Sequence, residues 1–376
     1  MILKTKDFKE AASKILLAAD LDKNVACLEL LAKESRLYLN VTNKEFYVSV
    51  KFPLTEPADF RAVVNAGLFL KLIAALNDET FELNVQDTSL QLKTKTTSYK
   101  LPRIYINETL LNLPTIELTN KTVEMPIKLE ILQSILNINS KELLKIKNID
   151  VDELQRLYYI DENGCFTFTT GACLNAFKLD KPVKMLLNDR IVKLFKLFKT
   201  DVYFEMAHDQ NEAGEIETKV RFKSEDTCIT ARIVCDNRLI DRRQGPCNRV
   251  KGYISENYGY SLALPVDQLT GAITRLSLFT KQSDVSANNA YLPINAKING
   301  ARLILTDRYG NTETVEAKNL VTAGRPDYDF SFNRTDLKLI LDSVKSDVIT
   351  LNCGNHKSIF ISRGTVYNVI PEIVRG

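Results

Sequence analysis

The chain has 376 residues, 45% of them apolar and 26% charged, with 14 Gly and 11 Pro. That usage excludes collagen-like, mucin-like and disordered chains, and the length allows two or three separately cored domains. Lys and Arg number 50 against 47 Asp and Glu, a formal charge of +3, so net charge alone does not mark a nucleic-acid binder and the distribution must decide.

No window approaches the apolar length of a membrane span. The opening Met1-Ile2-Leu3-Lys4-Thr5-Lys6 lacks the apolar core of a secretory signal, which predicts a cytoplasmic protein. Seven scattered cysteines (Cys27, Cys165, Cys173, Cys228, Cys235, Cys247, Cys353) with no CxxC pair predict reduced thiols without zinc, disulfides or another cofactor. The two histidines, His208 before Asp209-Gln210-Asn211 and His356 after Cys353-Gly354-Asn355, read as solvated turns rather than catalytic bases.

Taken in chain order, the apolar pattern predicts a helix over 8–19, an alternating strand over 36–41, and a lysine-bearing helix over 68–73 leading to a strand over 81–85. The plan returns with an extended start at 123–126, a helix over 129–138, a strand over 165–169, and a lysine-bearing helix over 191–196 leading to a strand at 202–206. It returns again at 261–265, 268–278, 302–306, 337–340 and 348–352. Lys71, Lys193 and Lys338 thus recur at domain-length spacing, far longer than a solenoid repeat. The expected architecture is α+β: three tandem domains, each with two helices packed on antiparallel strands, over 1–121, 122–254 and 255–376. The second boundary is drawn where Gly, Asn and Ser cluster between Gly252 and Gly259.

Positive charge gathers on the helices. Lys193, Lys196 and Lys199 are spaced by three, so on a continuous helix they fall within a band of about 120° and rise about 4.5 Å per step. Lys128, Lys141, Lys145 and Lys147 surround the preceding helix, and Lys9, Lys14, Arg275, Lys281 and Lys345 add to the other two copies. Lysines without interleaved aromatics suit phosphate contact, which carries no sequence information. Asp150, Asp152 and Glu153 read as a solvated connection. The alternative is a carboxylate cluster for two-metal nuclease or nucleotidyl chemistry.

Four stretches in this order, Leu157-Tyr158-Tyr159-Ile160, 168–174 (Phe-Thr-Thr-Gly-Ala-Cys-Leu), 236–243 (Asp-Asn-Arg-Leu-Ile-Asp-Arg-Arg) and 367–371 (Tyr-Asn-Val-Ile-Pro), together with the triple plan, make the chain resemble the bacterial sliding clamp, the β processivity subunit of the replicative DNA polymerase. The resemblance implies a head-to-tail homodimeric ring around double-stranded DNA, without catalytic residues or cofactors. It implies that the ring tethers the polymerase catalytic subunit, the clamp loader and other proteins bearing a clamp-binding linear motif. Lys23, Tyr158 and Tyr159 match DNA-touching positions, and the helix lysines Lys71, Lys193, Lys196 and Lys199 join them. Ile160, Thr169, Gly171, Leu174, Ile240, Arg243, His356, Ser358, Ile370 and Pro371 match a peptide pocket, with Leu174 and Ile370 as its floor and Arg243 at its rim. Lys93, Lys95, Tyr99 and Leu101, on one edge strand over 93–101, together with Leu278, Phe279, Glu313 and Glu316, match the ring interface. The glutamates are expected to face the lysines. The chain departs from the family pattern at Ala172 and Cys173, where His and Arg are usual, in its tail beyond Pro371, and in its positive charge.

Overall fold

The computed structural model describes residues 1–21, 26–136, 138, 157–168, 172–210, 214–233, 237–279, 293–323, 327–344, 346–362 and 364–372. One order of elements, strand, helix, four strands, helix, three strands, runs three times. The first run is β1 (Ile2–Lys4), α1 (Thr5–Leu21), β2 (Cys27–Lys33), β3 (Arg36–Thr42), β4 (Phe46–Pro53), β5 (Phe60–Asn65), α2 (Ala66–Ala75), β6 (Thr80–Val85), β7 (Ser89–Lys93) and β8 (Ser98–Pro102). A small hairpin follows, β9 (Tyr105–Ile106) and β10 (Thr109–Leu110). The second run is β11 (Lys121–Ile127), α3 (Leu129–Leu136), β12 (Leu157–Asp161), β13 (Gly164–Phe168), β14 (Ala172–Ala176), β15 (Lys184–Asn188), α4 (Asp189–Leu194), β16 (Val202–Gln210), β17 (Ile216–Lys223) and β18 (Thr227–Ile233). A linking helix α5 (Asn237–Ile254) precedes the third run. That run is β19 (Tyr260–Pro265), α6 (Val266–Leu278), β20 (Pro293–Asn299), β21 (Arg302–Thr306), β22 (Thr312–Glu316), an extra β23 (Asn319–Thr322), β24 (Asp327–Asn333), α7 (Arg334–Ser343), β25 (Val348–Cys353), β26 (Lys357–Ser362) and β27 (Val366–Pro371).

Local chemistry sets these elements. α1 turns Phe8, Ala11, Ala12, Ile15 and Ala18 inward at helical spacing, and Phe8 meets Phe52 and Phe81 edge-on, each at 5.3 Å between ring centroids. The second helix of each run follows an asparagine: Asn65 and Asn333 cap α2 and α7 by accepting from Leu68 N and Thr335 N, and Asn188 immediately precedes α4.

The chain divides into two compact units, Met1–Gln133 with Arg190–Cys235, and Ser134–Asp189 with Asp236–Gly376. The sheets explain why three runs make two units. In the first unit, the eight-stranded sheet β11-β16-β17-β18-β4-β3-β2-β5 joins strands of runs one and two at β18 and β4, which are antiparallel from Thr227↔Val50 to Ala231↔Phe46. In the second, the nine-stranded sheet β15-β12-β13-β14-β27-β26-β25-β19-β23 joins runs two and three at β14 and β27, antiparallel from Ala172↔Val369 to Asn175↔Val366. The four-stranded sheets β1-β6-β7-β8 and β22-β21-β20-β24 complete the two units. The core of the second unit carries an aromatic ladder, Tyr260, Tyr328, Phe330, Phe332 and Phe360, with successive centroids 5.2 to 6.3 Å apart.

In the first unit a buried carboxylate pins the link between runs one and two to β16. Asp209 accepts from Thr119 Oγ1 at 2.6 Å and Asn120 N at 2.8 Å, and pairs with Lys219 Nζ at 3.2 Å. Burial alone would raise its pKa, but these donors outweigh it and hold the carboxyl well below the usual carboxylate range. Its stabilisation is therefore present above the unfolded carboxylate's pKa of about 3.9 and is lost as pH falls through the lower folded value. Asp209→Asn is expected to cost about 1.5 to 3 kcal/mol at neutral pH. Urea midpoints should show the gap to wild type closing in acid; a gap independent of pH would contradict this.

Candidate functional site

The second unit contains a recess of about 320 Å3 between one row of the nine-stranded sheet and one face of α5. Phe166, Ala172, Val369 and Pro371 line its sheet side. Ala172 and Val369 are cross-strand partners, and Val369 and Pro371 share a face by the two-residue strand period. Pro246, Arg249, Val250 and Tyr253 line the helix side, at the i, i+3, i+4, i+7 spacing of a single face. His356 and Lys357 close the rim.

Ion pairs and hydrogen bonds hold these walls. Lys357 Nζ lies 3.9 Å from the Tyr253 ring centroid and 2.7 Å from Glu256 Oε2, and Asn355 Nδ2 donates to the same carboxylate at 2.6 Å. Lys251 pairs with Asp161 at 2.7 Å, tying α5 to β12. Behind the rim, buried Glu372 accepts from Tyr328 OH at 2.7 Å, Ser358 Oγ at 2.9 Å and Gly354 N at 3.2 Å. This fixes the turn in which His356 is exposed at a positive φ of 57°. Burial raises the Tyr328 phenol, with the Glu372 carboxylate adding to it.

Of the expected pocket residues, His356 and Pro371 line this recess. Ile160, Leu174, Ile240, Arg243, Ser358 and Ile370 do not line it, and each is buried. Ile370 points to the opposite face of β27 from Val369 and Pro371 and joins the core of the third run. Arg243, 4% exposed, lies on the buried face of α5 with Ile240, Cys247 and Val250, so the rim cation is Arg249. Ser358 is spent on Glu372. Thr169 and Gly171 lie outside the described residues. Burial pushes the Cys247 thiol up to about 12, leaving it protonated at neutral pH.

The tyrosines expected to touch DNA lie inside the fold. Tyr158 and Tyr159 are both 0% exposed, because β12 runs between β13 and β15. Burial raises both phenols, and among the described residues neither hydroxyl has a hydrogen-bond partner. Tyr158→Phe and Tyr159→Phe should therefore change stability by less than about 1 kcal/mol or raise it, since an unsatisfied buried hydroxyl is lost. DNA affinity should be unmoved; a marked loss would return the tyrosines to a DNA interface.

The cationic surface is narrower than the lysine count suggests. α4 ends at Leu194 and passes into a 3-10 turn over Phe195–Leu197, because Phe195, Leu197 and Phe198 are all buried. Phe195 packs on Phe222 at 4.7 Å between centroids. Lys199 thus stands beyond the helix and not on a continuous stripe. Lys71, Lys196 and Lys199 are exposed and Lys193 is half-buried. Among the described residues Lys196 and Lys199 have no ion pair. Lys14 is 9% exposed and bound to Asp226 at 2.5 Å, and Lys9 Nζ donates to Leu76 O, so α1 does not present them. Lys23, Lys141, Lys145, Lys147, Lys281 and Lys345 lie outside the described residues, as do Asp150, Asp152 and Glu153. Among the described residues no cluster of three His, Cys, Asp or Glu could hold a metal, and no helix is long and apolar enough to cross a membrane. His208 is not at a hairpin tip but on β16, its Nδ1 3.0 Å from Thr218 Oγ1.

The expected edge strand over 93–101 is a hairpin: Lys93 ends β7, Lys95 sits in the turn, and Tyr99 and Leu101 lie on β8. Thr94 Oγ1 forces the turn by accepting from Thr96 N and Thr97 N. Tyr99 is exposed, while Leu101 is buried opposite Leu90. Leu278 and Phe279, at the end of α6, are 76% and 52% exposed. Glu313 is held by Arg275 through two bonds of 2.7 Å, and Glu316 by Arg302 at 2.8 Å. In the single chain both carboxylates are thus engaged by arginines of their own run.

The sequence matches no protein-family model and no curated protein. Solved structures do match along its whole length. The DNA polymerase III subunit beta of Pseudomonas aeruginosa aligns with a TM-score of 0.74 at 13% identity, covering 100% of both chains. The beta subunit from DNA polymerase of Streptococcus pyogenes gives 0.75 at 12%, covering 100% of this chain and 99% of that one. The DNA polymerase sliding clamp of Bacillus subtilis gives 0.72 at 13% with the same coverage. The chain has the fold of the bacterial sliding clamps.

Proposed function

We propose that this chain is a DNA sliding clamp: a non-catalytic cytoplasmic processivity factor that closes head to tail with a second copy around double-stranded DNA. In this reading the repeats are 1–121, 122–254 and 255–376. The ring tethers the replicative polymerase catalytic subunit, the clamp loader and other proteins that carry a clamp-binding linear motif. The observation that carries it is topological. Inside the chain, run one meets run two through β4 and β18, and run two meets run three through β14 and β27. In the repeated order, the counterpart of β4 and β14 in run three is β22, and the counterpart of β18 and β27 in run one is β8. Both β22 and β8 end their sheets among the described residues. The same antiparallel joint between β22 of one copy and β8 of another would repeat the pairing used twice within each chain and cover two exposed edges.

A ring that slides requires attraction to phosphates without base readout. The exposed Lys71, Lys196 and Lys199, with Lys193, supply it in this reading, and Lys23 belongs to the same proposed set. Replacing Lys193, Lys196 and Lys199 with Ala should lower the slope of log affinity against log salt by about one for each lysine that meets a phosphate. An unchanged slope would take these lysines out of the DNA interface. Retention of the loaded protein on circular but not linear DNA tests the ring itself.

A further inference from the structure

The first unit holds a second recess, of about 750 Å3, where run one meets run two. Its walls come from the turn between β3 and β4, the end of β18 and the segment linking the runs. In the repeated order the end of β18 and the linking segment correspond to the end of β27 and to α5 around the other recess. Its chemistry differs. Leu111, Leu113 and Pro114 give it an apolar side, and Lys44, Arg190 and Arg232 line it with Glu45 as the one acid among the described lining residues.

We propose that this recess is a second docking site, for an acidic linear segment of another protein that also carries an aliphatic anchor. The charge balance selects the partner's sign. Arg232 is pre-set, donating to Lys44 O at 2.8 Å and pairing with Glu217 at 2.8 Å, and so it also fixes the turn that carries Lys44. Arg190 meets Glu45 at 3.3 Å. That pair is long, and its arginine is half exposed while Glu45 is partly buried, so an incoming carboxylate would compete with Glu45 for the same guanidinium. Guanidinium groups suit carboxylates through paired N–H donors, and the leucines and proline would cover an aliphatic side chain. Nucleic acid fits less well: no described lining residue is aromatic, so bases have nothing to stack on, and the apolar side offers nothing to a phosphate.

The test is fluorescence anisotropy of the labelled peptide Asp-Leu-Glu-Leu-Asp-Glu with the full-length protein at low salt, beside a counterpart with Lys in place of every acid. The acidic peptide should saturate and the basic one should not. Lys44→Glu with Arg190→Glu should weaken binding more than about tenfold, which corresponds to about 1.4 kcal/mol. Glu45→Gln should strengthen it, a gain that a folding defect cannot produce. Pro371→Asp, exposed at the recess beside α5, should leave it unchanged, so failure here and failure of the α5 recess as a peptide site are distinguishable. Absence of saturable binding would overturn the proposal. So would binding that survives the charge reversals but is lost in Pro371→Asp, or a short oligothymidine that binds through Lys44 and Arg190 where the acidic peptide does not.

Discussion

Leu278→Asp combined with Phe279→Asp is expected to turn a species near twice 42.6 kDa into a monomer over a dilution series. In the isolated chain these side chains lie largely in water, 76% and 52% exposed, so the substitutions remove almost no intrachain packing. If a second copy covers them, each contributes up to about 1.5 to 3 kcal/mol by burial, reduced in proportion to the part already covered. A carboxylate forced into the closed joint adds a desolvation cost of several kcal/mol. A combined loss of about 4 kcal/mol at each of the two identical joints corresponds to roughly a thousandfold per joint, and to about a millionfold rise in the dissociation constant of the closed dimer. Because Glu313 and Glu316 already hold Arg275 and Arg302, rim charge should matter less than this apolar pair, and added salt should dissociate the wild type only weakly. Ile216→Asp, equally exposed but at the start of β17, serves as the control and should remain dimeric. A double variant that sediments as wild type would place the joint on another surface.

Most of the fold was legible because its signals are local. Alternation along Arg36–Thr42, Gly164–Phe168 and Arg302–Thr306 marked half-buried strands, and the lysine-bearing helices recurred at the matching place in each run. The repeated asparagines at 65, 188 and 333 were a further signal that the reading did not use. α5 was missed because Gly245, Pro246 and Gly252 punctuate it. Its period survives only in Ile240, Arg243, Cys247 and Val250, where a buried arginine breaks the apolar pattern. The candidate recess was legible only in part, since it depends on side-chain parity. Ile370 lies on the opposite face of β27 from Val369 and Pro371, and on α5 Arg243 is buried where Arg249 is exposed, distinctions that a one-residue step in the sequence does not reveal. The burial of the tyrosines was not legible for a related reason: in Leu157–Asp161 every residue after the first is buried, so no alternation separates an inward from an outward face. Which strands join between runs depends on contacts distant in sequence, and no local pattern encodes them.

Val250→Asp is expected to abolish binding of a Gln-Leu-x-Leu-Phe peptide, and Pro371→Asp to weaken it about tenfold, with the ring mass unchanged in both. The recess beside α5 is small and its walls are fixed by the Glu256 and Asp161 ion pairs, so little ordering is needed when a leucine and a phenylalanine fill it. Phe166, Val250, Val369 and Pro371 offer those anchors apolar surface on both sides, while Arg249 stands exposed at the edge for a peptide carbonyl or acid. A carboxylate at position 250 would have to lose its water when the anchor enters, at a cost of several kcal/mol. Pro371 is exposed at the end of β27, so its replacement does not threaten folding and keeps the test decisive if Val250→Asp unfolds. Leu174→Ala and Ile370→Ala supply the opposite control. Both side chains are core, and each truncation should cost about 2 to 5 kcal/mol of stability while the folded fraction still binds peptide. A folded Pro371→Asp variant with undiminished affinity, joined by lost binding in a folded Leu174→Ala protein, would move the peptide site away from α5.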